Sequence, residues 1–239
     1  MKNFVIFILI SVASFAYCEE LDEFEDGFEQ EFATKEVFDP LQGYNRVMTS
    51  FNDYTIRYIF VPIFKGYDFI MPDQAQSCIH NFFYNIMYPL RFANNILQFK
   101  FKNAGEETLG FVANIFIGFG GLFDAASNVY KIPKHNEDFG QTLGHWGVGS
   151  GFPVVLPFLG QSNLRDITGM VGNYYMNPLT YKGKDMVGEK QLYALTAWNA
   201  INEGSLYPNA YEQMTGDSLD LYLFLRDAYE QRRNALIKE

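Results

Sequence analysis

Apolar residues recur every three or four positions along most of the chain after residue 38, and this spacing predicts helices. The first predicted helix follows Asp39-Pro40, a favourable start because Asp can cap a helix and Pro suits its first turn. We expect Pro62 to break or kink this helix, and Pro89 to interrupt a second helical run. The apolar stripe of the first helix contains Leu41, Tyr44, Val47, Met48, Phe51 and Tyr54.

A third apolar stretch, residues 109–123, is almost uncharged yet contains four glycines. Glu106 and Glu107 precede it and suit a helix N-terminus. The stretch is too short to cross a bilayer, so it is either a buried helix or one that lies within a single leaflet. Two more helices are predicted, over residues 189–204 and 217–237.

Residues 131–165 are rich in Gly and Pro and show little helical periodicity. Strand patterns are scarce, and residues 152–159 could form at most a short extended piece. We therefore predict an all-α fold interrupted by one long irregular connector. Long irregular segments are uncommon in compact domains and are often functional.

The glycines of residues 144–151 do not form a known catalytic or nucleotide-binding motif. Their spacing matches neither a P-loop nor a dinucleotide-binding loop. A nucleophile elbow needs glycine two residues on each side of the serine, where Ser150 has Val148 and Phe152. The glycines instead permit close approach of the backbone to another group.

Other catalytic or metal-binding arrangements are equally weak. A Ser150, His145 and Asp166 triple could be drawn, but any chain of this length offers such triples. The three histidines, His80, His135 and His145, lack the paired spacing of a zinc site, and a structural role is expected for each. The sequence therefore favours binding over catalysis: we expect no enzyme activity, no cofactor and no metal.

Composition points to extensive apolar surface. Aromatic residues make up 18% of the chain and charged residues only 19%. This excess predicts either a large aromatic core or contact with lipid or another apolar partner. No basic stripe is present, so we expect no nucleic-acid partner.

The N-terminal residues indicate secretion. Residues 1–17 read as a signal peptide, with one lysine, an apolar run and then small residues. Cleavage after Ala16 fits; cleavage after Tyr17 would instead make Cys18 a lipid anchor, although Tyr17 is large for that position. Residues 18–38 form an acidic leader that we expect to be disordered, and residues 39–239 are predicted to form a single helical domain.

Several segments of the chain resemble the MlaA (VacJ) family, and they occur in the same order as in that family. The resemblance extends from Asp39 to about Asn234, and the stretch from Asp138 to Asp166 is especially specific. The matching segments are "DPLQGYNRVMTSFN", "NFFYNIMYPLRFANNILQ", "FVANIFIGFGGLFDAAS", "EDFGQTLGHWGVGSGFPVVLPFLGQSNLRD" and "LRDAYEQRR".

The resemblance implies a ring of helices in the inner leaflet of the outer membrane, with a central amphipathic channel. Phospholipids misplaced in the outer leaflet would enter the channel and pass to a periplasmic lipid-binding carrier of the MlaC type. Family members also associate with trimeric outer-membrane porins and perform no covalent chemistry. Two alternatives stay open: an adaptor that docks on a porin without conducting lipid, and a secreted hydrolase that acts on lipids.

Under this hypothesis we expect residues 139–166 to pack along the channel or its periplasmic mouth. Asn45 and Arg46 could equally serve helix packing, Phe51 could lie in the core or on the rim, and Arg165 could form a structural pair with Asp166. The candidate channel residues are Asn45, Arg46, Phe51, Gln141, Thr142, His145, Ser150 and Arg165.

Overall fold

Helices make up most of residues 37–181 and 183–239, which are the residues that the computed structural model describes. The predictions of a signal peptide, a lipid anchor at Cys18 and an acidic leader fall almost wholly outside the described residues. The helices are α1 (Gln42–Thr55), α2 (Val61–Ile70), α3 (Asp73–Ile86), α4 (Tyr88–Leu97), α5 (Phe101–Phe116), α6 (Ala125–Asn128), α7 (Phe139–His145), α8 (Leu164–Met176), α9 (Pro178–Tyr181), α10 (Gly183–Val187), α11 (Glu189–Ser205), α12 (Ala210–Thr215) and α13 (Leu221–Lys238). Two short strands, β1 (Pro153–Leu156) and β2 (Gly160–Asn163), pair antiparallel.

The first predicted helix does not end at Pro62. A π-helical turn, Ile56–Phe60, joins α1 to α2, and Pro62 lies in the first turn of α2. Proline removes one backbone N–H and crowds the carbonyl of the preceding turn, and a wider turn at this point accommodates it. The chain therefore continues as one helical segment, with its backbone geometry changed just before the proline.

The helix that contains the first part of the third apolar stretch starts earlier than the positions of Glu106 and Glu107 suggested. It begins at Phe101, so Glu106 and Glu107 lie inside α5 and not at its N-terminus. Both carboxylates have side-chain partners: Glu106 contacts His135 and Glu107 contacts Arg91. Their position follows from these tertiary contacts and not from the helix dipole.

The connector over residues 131–165 is less irregular than predicted, because it contains α7 and both strands. A capping box starts α7: the Asp138 carboxylate accepts from Gln141 N, and the Gln141 side chain accepts from Asp138 N. The spacing Asp-x-x-Gln carries this signal in the sequence. The β1–β2 turn places Phe158 and Gly160 at positive φ, which only the glycine adopts without strain.

Two asparagines of α1 hold this β-hairpin. Asn45 donates to the Pro153 carbonyl (3.0 Å) and accepts from Val155 N (2.9 Å). Asn52, two turns later, donates to the Leu156 carbonyl (2.9 Å) and accepts from Phe158 N (2.8 Å). Side-chain amides of α1 thus bond to backbone groups of β1 and of the turn that follows it.

Replacing Asn52 with alanine should loosen the hairpin. The change leaves a backbone carbonyl and a backbone N–H without their partner, which costs about 1–3 kcal/mol. We expect faster hydrogen exchange at the Phe158 amide and a lower free energy of unfolding. Ser50→Ala is the matched control, because among the described residues the Ser50 hydroxyl bonds only to the Arg46 carbonyl within α1. Equal exchange in the two variants would contradict this account.

Helix contacts close a circuit within residues 39–239. The segment α1–α2 contacts α11, which contacts α3; α3 contacts α4, α4 contacts α7, α7 contacts α13, and α13 returns to α1. The mainly helical fold is confirmed, and four elements of the circuit, α3, α4, α7 and α11, contribute to the lining of the cavity described below.

The polarity of the helices is the reverse of that in an ordinary soluble protein. The side chains that α1 buries are Asn45, Thr49, Asn52 and Thr55, and those that α4 buries are Arg91, Asn94 and Asn95. The apolar stripe predicted for α1 faces outward, and among the described residues buried polar side chains outnumber buried apolar ones. Exposed members of the stripe are Leu41, Tyr44, Val47, Phe51 and Tyr54.

Candidate functional site: an amphipathic cavity

A cavity of about 290 Å³ lies between α3, α4, α11 and the segment that enters α7. Its lining mixes apolar groups with amides and charged groups, as expected of a site that holds an amphipathic molecule. The lining residues are His80, Phe83, Tyr84, Met87, Leu90, Arg91, Asn136, Glu137, Asp138, Gln141, Asn199 and Glu203.

A buried ion pair lies beside the cavity, and its arginine, Arg91, contributes to the lining. Arg91 Nε lies 2.7 Å from Glu107 Oε2, and the Arg91 guanidinium lies 3.5 Å from the centre of the Tyr84 ring. The Tyr84 hydroxyl donates to Glu107 (3.0 Å). Burial and the nearby Glu107 carboxylate raise the pKa of Tyr84 against the opposing effect of Arg91, so this phenol stays protonated.

A second network holds the polar groups at the entry to α7. Lys100 Nζ lies 2.6 Å from Glu137 Oε1, and Gln98 donates both to Glu137 Oε2 (2.8 Å) and to Thr142 Oγ1 (3.1 Å). The Thr142 hydroxyl in turn donates to Asn94 Oδ1 (2.8 Å). These bonds tie α4 to α7 behind the cavity wall.

The C-terminal helix, α13, supports the part of the cavity wall where α7 begins. Arg233 donates through Nη1 to Asp138 Oδ2 (2.6 Å) and through Nη2 to Asp166 Oδ1 (2.9 Å). Burial raises the pKa of Asp166, but hydrogen bonds from Arg165, Tyr229 and Arg233 outweigh this effect and hold the pKa below its usual value. The Asp166 carboxylate is therefore ionised at neutral pH.

The structure brings only one candidate channel residue, Gln141, to the cavity wall. Asn45 is buried against the hairpin, Arg46 pairs with Asp220 (2.8 Å), and Phe51 is half exposed against Phe158. Phe51 is therefore not a core residue.

The remaining candidate channel residues, which lie in α7 or later in the chain, also occupy different environments. Thr142 is fully buried, and His145 is exposed at the end of α7. The Ser150 carbonyl accepts from Arg165 N, and the Arg165 side chain pairs with Asp166 (3.0 Å). No hydrogen bond joins Ser150, His145 and Asp166, so they do not form a triad. A lipid-contacting role for these residues stays a prediction.

Sequence reasoning missed most of the cavity lining, which comes from α3, α4 and α11. One signal was present: Arg91, Asn94, Asn95 and Gln98 recur at helical spacing in an otherwise apolar segment. A polar stripe on such a helix marks the face that packs against other polar groups. Nothing local in the sequence indicates that α11 lies opposite this face.

The outer surface carries many exposed aromatic side chains. Phe116 is 81% exposed and Phe119 is 79% exposed, and both lie at the end of α5 and in the glycine-rich turn after it. Apolar patches of this kind mark contact with membranes or proteins. Over the described part of the chain, no helix has the length and apolar character needed to cross a membrane.

Fold and cavity together define a class: a mainly helical protein with many exposed apolar side chains, buried polar helix faces and an amphipathic cavity. A family model described as "MlaA lipoprotein" matches residues 37–236. The chain belongs to this family, which confirms the resemblance seen in the sequence.

Relatives and a solved structure support the assignment. The Escherichia coli K12 protein named intermembrane phospholipid transport system lipoprotein MlaA is 30% identical over 200 residues, covering 82% of this chain and 77% of the relative. A Rickettsia bellii protein of uncharacterised function is 34% identical over 207 residues, covering 85% and 78%. A solved structure from work on the structural basis for maintenance of bacterial outer membrane lipid asymmetry has a TM-score of 0.70 and 28% identity, covering 83% of this chain and 98% of its own.

Proposed function

We propose that this protein is an outer-membrane-associated phospholipid transport component that removes misplaced phospholipids from the outer leaflet and so maintains lipid asymmetry. The reversed polarity of the helices carries the proposal. An apolar exterior fits acyl chains, whereas buried amides and ion pairs provide a polar interior through which a charged headgroup can move. The names of the relatives agree with this function.

The closed circuit of helix contacts supports a channel within the domain. It joins α1–α2, α11, α3, α4, α7 and α13, and the cavity lies between four of these elements. We propose that the cavity is part of the lipid path and that the aromatic exterior rests in the inner leaflet of the outer membrane.

Two protein partners complete the proposal. A periplasmic lipid-binding carrier would receive the phospholipid, and a trimeric porin would position the protein in the membrane. Neither role requires covalent chemistry. The support is the family resemblance together with the exposed aromatic surface, which offers apolar area for a partner as well as for lipid.

Photo-crosslinking tests the lipid path. A photoreactive amino acid at Leu90, on the cavity wall, should capture phospholipid in membranes, whereas the same group at exposed Lys238 should not. An adaptor that docks on a porin without conducting lipid would give no lipid adduct at Leu90. That result would reject the lipid path.

A further inference from the structure

The turn that follows α5 carries only glycines and large apolar side chains. Residues 117–123 read Ile-Gly-Phe-Gly-Gly-Leu-Phe, and we call them the apolar turn. Its large side chains, Ile117, Phe119, Leu122 and Phe123, are all exposed. Because the transfer of apolar surface from water into hydrocarbon is favourable, these side chains fit the acyl chains of a bilayer.

The backbone of the apolar turn is held in a restricted conformation. Phe119 has a φ of 53°, in the left-handed region, which is unfavourable for a residue other than glycine. Gly121 N donates to the Asn114 carbonyl (2.9 Å). Phe123 N donates to the Gly118 carbonyl (2.9 Å) and so closes the turn. A phenylalanine persists in this conformation only where the surrounding contacts hold it there.

Asparagine side chains hold the apolar turn from the protein side. Asn85 of α3 donates to the Gly121 carbonyl (3.2 Å). Asn81, one helical turn earlier, donates to the Leu122 carbonyl (3.2 Å), and Asn114 of α5 donates to Asn85 Oδ1 (3.3 Å). Asn85 and Asn114 are buried, so neither side chain contacts a bilayer directly. The two helices therefore fix the turn through side-chain amides that lie behind it.

A turn that is ordered before it binds loses less conformational entropy when it binds. In the apolar turn this ordering takes place during folding, because the asparagine hydrogen bonds already fix the backbone around Phe119. Loss of these hydrogen bonds would leave the same apolar side chains on the surface. Those side chains would then have to be ordered by the bilayer itself, and binding would be weaker.

We propose that Asn85 and Asn114 are positioning residues for membrane insertion: they hold the apolar turn as a preformed wedge that enters the acyl chains. Neither asparagine touches the lipid, and both act through the backbone of the turn. This proposal rests on the proposed function and adds the buried groups that determine how tightly the protein binds the membrane.

A double-mutant cycle on vesicle binding tests this role. The purified full-length protein is co-sedimented with vesicles of phosphatidylethanolamine and phosphatidylglycerol. We expect Phe119→Ala to weaken binding about tenfold, the contribution of one phenylalanine side chain. Asn85→Ala should weaken binding about fivefold, because the turn is no longer ordered in advance. In the Asn85→Ala protein, Phe119→Ala should weaken binding only about threefold further, because the ring is no longer held in position.

Asn202→Ala is the matched control, because it also removes a buried side-chain amide. Asn202 is fully buried on α11 and donates to the Gln76 carbonyl (3.0 Å), away from the apolar turn. Its replacement should keep vesicle binding within about twofold of wild type and retain the full effect of Phe119→Ala. Hydrogen exchange at the Phe123 amide should be faster in Asn85→Ala and unchanged in Asn202→Ala.

Asn114→Ala provides a second, independent cycle. It removes the donor to Asn85 Oδ1 and should also reduce the effect of Phe119→Ala. This cycle carries the test if the Asn85→Ala protein does not fold.

The outcomes distinguish this proposal from the proposed function. A full effect of Phe119→Ala in the asparagine variants, or equal weakening of binding by Asn85→Ala and Asn202→Ala, would overturn the positioning role and leave membrane contact standing. Absence of vesicle binding by the wild-type protein would contradict the membrane association in the proposed function as well.

Discussion

Replacing Arg233 with methionine should lower the free energy of unfolding by about 3 kcal/mol. Arg233 is buried and joins the Asp138 carboxylate at the start of α7 to the Asp166 carboxylate on α8. Methionine fills much of the same space but leaves both carboxylates without this cation. Chemical denaturation of the protein in detergent micelles measures the loss.

Arg232→Met is the matched control, because Arg232 is the exposed neighbour on the same helix and loses the same charge. We expect it to change stability by less than about 0.5 kcal/mol. Equal losses in the two variants would show that net charge, and not the buried network, determines the effect.

The same network predicts a dependence on acid. Because the folded-state pKa of Asp166 is lowered, its contribution to stability is present above its unfolded value of about 4 and is lost as pH falls through the lowered pKa. The stability difference between wild type and Arg233→Met should therefore shrink below about pH 4. A difference of the same size at pH 7 and pH 3 would contradict the assignment of Asp166 as a partner.

Replacing Phe116 and Phe119 together with aspartate should reduce membrane binding about 100-fold. Transfer of one phenylalanine side chain out of water contributes about 1.5–3 kcal/mol, which is at least about tenfold in partitioning for each residue. Both rings are mostly exposed, so their replacement should cost the fold little. Co-sedimentation with phospholipid vesicles gives the binding constant.

A control must separate lost apolar contact from added negative charge. Gln74→Asp with Ser77→Asp adds two carboxylates at exposed polar positions of α3 and should bind vesicles nearly as well as wild type. If the Phe116 and Phe119 variant kept wild-type binding, the aromatic exterior would not be the membrane-contacting surface.

The helices could be predicted from the sequence, but the direction they face could not. The stripe from Leu41 to Tyr54 correctly predicted α1, yet periodicity identifies one face without saying whether water, lipid or protein lies against it. In the structure the β-hairpin and α13 pack against the polar face of α1, where they bond to Asn45 and Asn52. The apolar stripe of α1 is exposed.

The candidate site was harder to predict because it depends on long-range contacts. Gln141 was identified as a polar group in an apolar segment, and it does line the cavity. Glu203 lies far along the chain from His80, and only the packing of α11 against α3 brings them together. A single sequence contains no local pattern that records such a pairing.

The central claim is that phospholipid leaves the outer leaflet through this protein, and its most direct test is the amount of phospholipid exposed at the cell surface. Deletion of the gene should increase labelling of surface phospholipid by a membrane-impermeant amine reagent, and the wild-type gene should return the labelling to its normal level. A Phe116→Asp and Phe119→Asp double variant should leave the labelling as high as in the deletion strain. Unchanged surface labelling in the deletion strain would contradict the claim.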